Sequence, residues 1–465
     1  MTKNKQRHLL DRPLLRVDVV ESGMRSQNDW IRCEIGTNLE FNTAQMESYF
    51  FARWEPVLYD AMLVAAAVEF CDRSKRRPVS GWGRDMELRI PVHELDRWNC
   101  QDVMQALRVA LEFLSGDSWK ITFYARKRAE SPPRQSSLCI PSDVAAVIPF
   151  SDGLDSRSVA GIMALELGER LVRVRLGPTD SAPKRRSPLR EPFTSVPYKV
   201  CAGERRFPES SARSRGFKFA LLSGLAAYLA KAARVVVPES GQGALGSTLV
   251  PVGQAYADYR NHPMFTVRME RFFAALLGHQ VRYEFPQLWR TKGETLARFV
   301  RECEEGPSSW ASTWSCWQQS RQSSVEGMKR QCGICAACML RRLSVHTAGL
   351  TEPKTAYVWE NLGALSFVAG AAASFAKKRI TKAMNQYAIA GALHLDHLAA
   401  LRQSPSNALS LSVSAFQLSQ ACSLPKTEAH DRLTRLLTQH ETEWKNFVGS
   451  LGPKSFIAEW AVAAR

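Results

Sequence analysis

Two hydrophobic rhythms run along the chain, and the places where they change mark most of its elements. Residues 14–20 and 30–35 are strand-like, and Met86, Leu88, Ile90 and Val92 alternate with polar neighbours as in a half-buried strand. Between them, Pro56 opens an apolar run over 57–70 that reads as a helix with proline at its first position. Residues 101–114 keep helical spacing up to Gly116, and Trp119, Ile121 and Phe123 then return to strand alternation. Residues 1–130 are thus expected to form an accessory α+β domain suited to docking. His93-Glu94-Leu95-Asp96 reads as a polar cap before a helix rather than a metal site. Residues 131–143, rich in serine and proline, follow as a linker.

Beyond the linker the pattern changes to strand, loop, helix, strand. Residues 144–150 are an apolar run of strand length, and Ser151-Asp152-Gly153-Leu154-Asp155-Ser156 is a polar turn. Val159, Ile162, Met163 and Leu165 then recur at helical spacing, and residues 171–176 form the next strand after Gly168. This alternation predicts an α/β domain over 144–345 built on a doubly wound parallel sheet. Residues 217–232 read as a helix and 234–237 as a buried strand, which runs into a second Gly-rich turn, Pro238-Glu239-Ser240-Gly241-Gln242-Gly243. Residues 253–265 are irregular and aromatic, suited either to recognising a planar base or to a plain surface loop. Residues 269–277 return to helix, and Thr291 precedes another carrying Lys292, Glu294, Leu296 and Phe299. The tail, 346–465, reads as helical throughout, with Leu433, Leu436, Leu437, Trp444, Phe447 and Val448 on one apolar face. Within it, 362–376 is expected to be a buried helix, too short to span a membrane.

Charge adds a bias toward polyanions or acidic surfaces. The 465 residues carry a formal +17, with basic runs at Lys75-Arg76-Arg77, Arg126-Lys127-Arg128, Lys184-Arg185-Arg186 and Lys377-Lys378-Arg379. A solvated basic surface would look the same. Residues 178–191 form a basic loop at the edge where such sheets bind ligands. Eleven cysteines in a chain of this length, with no secretory apolar core in MTKNKQRHLLDRPLL, point to a reducing, cytoplasmic setting.

Two stretches carry candidate chemistry. A strand feeding a Ser/Gly turn and a helix start presents free backbone N–H groups and a positive dipole end, which suit an anion such as pyrophosphate. An ordinary Ser/Asp helix cap is the alternative reading. Cys332, Cys335 and Cys338 are spaced C-x2-C-x2-C, and Cys316 lies upstream in Thr313-Trp314-Ser315-Cys316. Four thiolates of this kind match a closed, structural Zn²⁺ site, with an iron–sulfur cluster as the competitor.

Together these segments resemble the 7-cyano-7-deazaguanine synthase (QueC) family of PP-loop ATP pyrophosphatases. The loop is similar to the family's Ser-Gly-Gly-x-Asp-Ser, and Thr-Trp-Ser-Cys with Cys-Gly-x-Cys-x-x-Cys-x-x-Arg is similar to its zinc segment. Arg215 resembles the family's arginine before the following helix. Asp258, Arg260, Pro263 and Phe265 resemble its substrate loop, and Phe285-Pro286 with Thr291, Lys292 and Glu294 its late Thr-Lys-x-Glu. The likeness spans about residues 143–345.

The resemblance implies adenylation of a 7-deazaguanine carboxylate (7-carboxy-7-deazaguanine) with release of pyrophosphate, followed by transfer to an amine. It implies that Ser151, Asp152, Gly153, Leu154, Asp155, Ser156 and Gly241 hold ATP, with Asp155 orienting Mg²⁺ or the loop. Arg215 and Lys292 would offset phosphate charge, and Asp258, Arg260 and Phe265 would meet the base. Read without the family, Arg215 and Lys292 are equally surface cations and Asp258 a turn residue. Asp152 departs from the family's glycine, the Cys316–Cys332 spacing is longer than in the housekeeping enzyme, and both flanks are extra. These departures fit the branch found in anti-phage defence operons, which the resemblance implies modifies a partner protein at an amine. Nitrile synthesis with ammonia is one alternative. A non-catalytic PP-loop protein that binds nucleotide or nucleic acid is another.

Overall fold

The computed structural model describes residues 12–49, 53–78, 81–128, 143–177, 193–204, 206–209, 213–251, 256–304, 306–318 and 320–462. The expected linker except Asp143, the basic loop at 178–191 and residues 253–255 lie outside these. The chain forms two compact units, one of Met1–Phe150, Leu167–Val237 and Asp258–Glu284, the other of Ser151–Glu166, Pro238–Ala257 and Phe285–Arg465. These divisions cut across the boundaries expected at 130 and 345.

The first unit holds two sheets. Strands β1 (Leu14–Val20), β2 (Ile31–Glu34), β4 (Asp85–Val92) and β5 (Ser118–Ala125) pair in the order β2-β1-β4-β5, every pair parallel. The expected α+β accessory domain is therefore corrected to a parallel α/β layer, since alternation marks a half-buried strand but not its direction. The remaining short strand, β3 (Leu39–Phe41), leaves this layer and pairs antiparallel with β8 (Phe193–Val200) in the second sheet. That hydrogen-bonded link is the physical reason the N-terminal residues do not close off at 130. The second sheet also contains β6 (Ala146–Pro149), β7 (Leu171–Gly177), β9 (Arg234–Val236) and β10 (Arg282–Glu284), in the order β10-β9-β6-β7-β8-β3. Its five parallel strands, counted along the chain, lie 3-2-1-4-5 when read from β8 to β10. The order turns back at β6, between its neighbours β7 and β9.

Helix Pro56–Ser74 is buried from Val57 to Asp72, so the acids Asp60, Glu69 and Asp72 each need a partner. Asp72 accepts from Arg84 and Arg77, which also reach Asp117; Asp60 accepts from His93; Glu69 accepts from Lys218 and Tyr198. Breaking one such pair strands a buried charge, at about 3–5 kcal/mol. Two basic runs are thus partly spent on the fold. Arg77 lies in that cluster, and Arg126 pairs with Glu21 over the Tyr59 ring. His93 and Glu94 donate their backbone N–H groups to Asp60, which replaces the expected side-chain cap of the short helix Leu95–Trp98.

The second unit is mainly helical, with helices Leu154–Leu167, Gly241–Leu249, Lys292–Glu302, Ala336–Thr347, Lys382–Ala400, Ala408–Cys422 and Lys426–Leu451. The four cysteines share one core with Trp359, Phe375, Ala388, Leu395, Trp444 and Phe447, so the tail packs directly on the cysteine segment. The helix expected at 362–376 is absent, and those residues form turns. Trp359 donates its ring N–H to the Phe367 carbonyl at 2.8 Å and stacks on the Phe367 ring, a fold-back a continuous helix could not make. Among the described residues no helix is long and apolar enough to cross a membrane.

Candidate functional site

After β6 the chain passes into the second unit at Ser151, where the Ser/Gly turn lies and helix Leu154–Leu167 begins within it. Leu154 is an apolar anchor, 1% exposed, packed in a core with Ile162, Leu296, Phe299 and Val345. The two hydroxyls of the turn meet, Ser151 Oγ and Ser156 Oγ lying 2.9 Å apart, and the Gly153 N–H donates to Ser151 Oγ at 3.2 Å. The Asp152 side chain is exposed, while its carbonyl accepts the Trp314 N–H at 2.8 Å.

Asp155 gives one carboxylate oxygen, Oδ2, to the Lys292 ammonium. Its other oxygen, Oδ1, is buried without a hydrogen-bond partner. A buried carboxylate oxygen left bare marks a place where a donor or cation would be welcome. Lys292 is aimed by its own helix start. Thr291 caps helix Lys292–Glu302 in a reciprocal box with Glu294, and Gln242 Oε1 accepts the Lys292 backbone N–H at 2.7 Å. Gly241, expected to line a nucleotide, is packed shut at its backbone. Its N–H goes to the Arg290 carbonyl at 2.8 Å, and a Cβ there would sit 2.4 Å from the Leu288 carbonyl oxygen.

The cysteine sulfurs of 316, 332, 335 and 338 all lie within 4.8 Å of one another and are buried. Cys332 Sγ and Cys338 Sγ are 3.8 Å apart. A tetrahedron with Zn–S of about 2.3 Å spaces its sulfurs about 3.8 Å apart, so the cage has the size of a zinc site. Backbone N–H groups already point at the sulfurs: Cys332 at Cys316 Sγ (3.2 Å) and Cys335 at Cys332 Sγ (3.3 Å). Gly333 makes that knuckle possible with φ of 85°, where a Cβ would also press on the Trp359 carbonyl at 3.0 Å. Hydrogen bonds from the Cys332, Cys335 and Cys338 thiols pull the Cys316 thiol far below its ordinary range, whereas burial pushes Cys338 up. This donor set could hold a metal such as zinc. Among the described residues it is the one group of His, Cys, Asp and Glu side chains close enough to share an ion.

The cysteine segment and the Ser/Gly turn are physically joined. Besides the bond from Trp314 to Asp152, Arg341, fully buried on the same helix as Cys338, donates to Thr313 Oγ1 at 2.6 Å and pairs with Glu352. Thr313, Trp314 and Cys316 therefore run in one braced strip past the turn.

The remaining expected site residues belong to the first unit. Arg215 is exposed at the start of helix Ser214–Leu229, its guanidinium 5.6 Å from the Phe219 ring centre. Gly216 lets that helix start approach the Arg260 backbone, where a Cβ would sit 2.9 Å from Arg260 Cα. Asp258 accepts from Arg260 Nε at 2.8 Å and pairs with Arg213 at 2.7 Å. Burial alone would raise its carboxyl, but these two arginines outweigh it and hold the acid below the usual range. Arg213, two positions before the expected arginine and itself buried, is thus a direct partner of Asp258 beside Arg260. Phe265 is 0% exposed and presents no face to a ligand; as the third residue of helix Pro263–Leu277 it packs inward. Four contributors were not foreseen: Arg213, Gln242, His440 and Glu443. The last two stand as polar residues inside the apolar stripe of the tail helix, the signal that could have flagged them.

No known family profile matches the chain, and no curated protein matches it in a sequence comparison.

Proposed function

We propose that this chain is an ATP-dependent ligase of the PP-loop type that adenylates a 7-deazaguanine carboxylate and transfers the acyl group to an amine on a partner protein. The observation that carries the reading is the Lys292–Asp155 pair. Two short motifs 137 residues apart, both assigned to a nucleotide site by the resemblance, meet at one charged contact.

In this reading a carboxylate oxygen of the deazaguanine acid attacks the α-phosphorus of ATP, and the bond to the β-phosphate bridging oxygen breaks to release pyrophosphate. The acceptor nitrogen then attacks the acyl carbon, AMP leaves with the bonding electrons, and the nitrogen loses a proton. Ser151, Ser156 and the backbone N–H groups of the turn would bind the leaving pyrophosphate. Lys292 would supply positive charge beside it, and the bare Asp155 oxygen would receive Mg²⁺ or a donor. The cysteine site would hold Zn²⁺ as a structural ion, keeping the strip from Thr313 to Cys316 against the turn.

Purified chain incubated with MgATP and 7-carboxy-7-deazaguanine should release pyrophosphate, and Asp155→Ala should abolish it. Co-expressed partner protein should gain the mass of one deazaguanine acyl group. Rapid nitrile formation with ammonium and no partner would instead identify a small-molecule synthase. No pyrophosphate release, with the acid and with any partner present, would overturn the enzymatic reading.

A further inference from the structure

Helix Lys426–Leu451 lies far from the loop in sequence, yet two of its side chains, Glu443 and Arg435, end at the start of the helix that carries Lys292, and a third, His440, reaches it through Gln242. His440 is fully buried, and its Nε2 lies 2.9 Å from the Leu395 carbonyl. A carbonyl only accepts, so Nε2 carries the proton and Nδ1 is bare. Nδ1 therefore accepts a hydrogen bond from the Gln242 Nε2 amide, at 2.8 Å. That bond fixes which way the Gln242 amide faces, leaving Oε1 toward the Lys292 backbone N–H. Burial keeps His440 neutral, its value pushed down to about 4.

Glu443, one turn further, works through the neighbouring residue. Its Oε1 accepts the Thr291 hydroxyl at 2.5 Å and the Gln439 amide at 3.1 Å. With its proton committed to Glu443, the Thr291 oxygen points its lone pairs at the Glu294 N–H. Arg435 closes the outer side, gripping the Glu294 carboxylate and the Trp289 carbonyl. The Lys292 ammonium is 9% exposed at its side chain, so its direction is set by these bonds and not by solvent.

We propose that the tail helix is a working part of the loop: His440 through Gln242, and Glu443 through Thr291, are positioning residues that set Lys292 against Asp155. The proposal deepens the nucleotide reading above and rests on it for the role of Lys292, but the positioning itself is open to direct measurement.

The test is competitive trace acetylation of the intact chain, with peptide mass spectrometry reading each lysine separately. In the wild type, Lys292 should react slowly compared with exposed Lys329. Glu443→Ala and His440→Ala should raise Lys292 reactivity about two- to tenfold, the range that losing one hydrogen bond of ordinary net strength gives. Lys329 and Lys445 should not change. Glu443→Gln, which keeps an acceptor oxygen for Thr291, should restore the wild-type value. Arg435→Leu alters a half-exposed side chain, so the chain should still fold if the buried changes do not tolerate it; it should raise Lys292 alone by about twofold. Unchanged Lys292 reactivity in a folded variant would overturn the proposal, as would a rise shared by all lysines. MgATP titration of the same proteins separates the two readings. Absent binding with a responsive Lys292 sinks the nucleotide site and leaves the positioning intact, and binding with an unresponsive Lys292 does the reverse.

Discussion

Replacing Glu443 with glutamine should flatten the pH dependence of stability between pH 5 and 8.5. Burial is the main reason the Glu443 carboxyl is raised from 4.5 to about 7, and the neighbouring Glu294 adds to it. Hydrogen bonds from Thr291 and Gln439 pull the other way without winning. Because the folded-state value is raised, the folded chain holds this proton more tightly than the unfolded chain does. The stability it contributes is complete below pH 4.5 and is lost as pH rises through 7. At 1.36 kcal/mol per pH unit the full span corresponds to about 3 kcal/mol. Urea denaturation followed by tryptophan fluorescence, which Trp444 reports from the adjacent position, measures the loss in both proteins. Wild type should lose about 2–3 kcal/mol more than Glu443→Gln between the two pH values. His440 titrates with the opposite sign, its lowered value removing stability as pH falls from 6.5 toward 4, but it is common to both proteins and cancels. Parallel pH profiles for the two proteins would refute a buried, proton-binding Glu443.

Other outcomes follow from the same geometry. The chain should retain one equivalent of zinc after purification, and Cys338→Ser should lower it sharply by metal analysis; a visible absorption band would instead mark an iron–sulfur cluster. Arg341→Met should cost about 3–5 kcal/mol in denaturant unfolding, because Glu352 keeps its charge with its buried partner gone. Gly241→Ala should destabilise by about 1–3 kcal/mol, since its Cβ meets a backbone carbonyl that cannot step aside. Lys292→Met should weaken MgATP binding at least about tenfold by calorimetry, the effect of one charge-assisted contact, and leave zinc content unchanged.

What could be read in advance was whatever depends on local pattern. The strand at Leu14–Val20 and the helix ending at Gly116 match the alternation that predicted them, and Thr291 caps its helix as its neighbours implied. The cysteine spacing was equally legible, because knuckle geometry is set within a few residues. Strand direction was not: nothing in Met86, Leu88, Ile90 and Val92 says whether their neighbour runs parallel. The turns at 362–376 were misread because small residues fill a helix or a fold-back equally well, and the Trp359–Phe367 stack that decides between them is a tertiary contact. Pairing choices were hidden for the same reason. Arg213 and Arg215 look alike on paper, yet in the folded chain the former is buried and pairs with Asp258 while the latter is exposed.

The crossing of β3 into the second sheet bears on how the chain is born. The partner strand β8 emerges some 150 residues later than β3. At about 5–20 residues per second a ribosome needs roughly 8–30 s to supply it. Throughout that wait the short strand Leu39-Glu40-Phe41 lacks the edge it will join. Nascent chains halted before residue 193 should therefore be where chaperones are recruited and where aggregation begins.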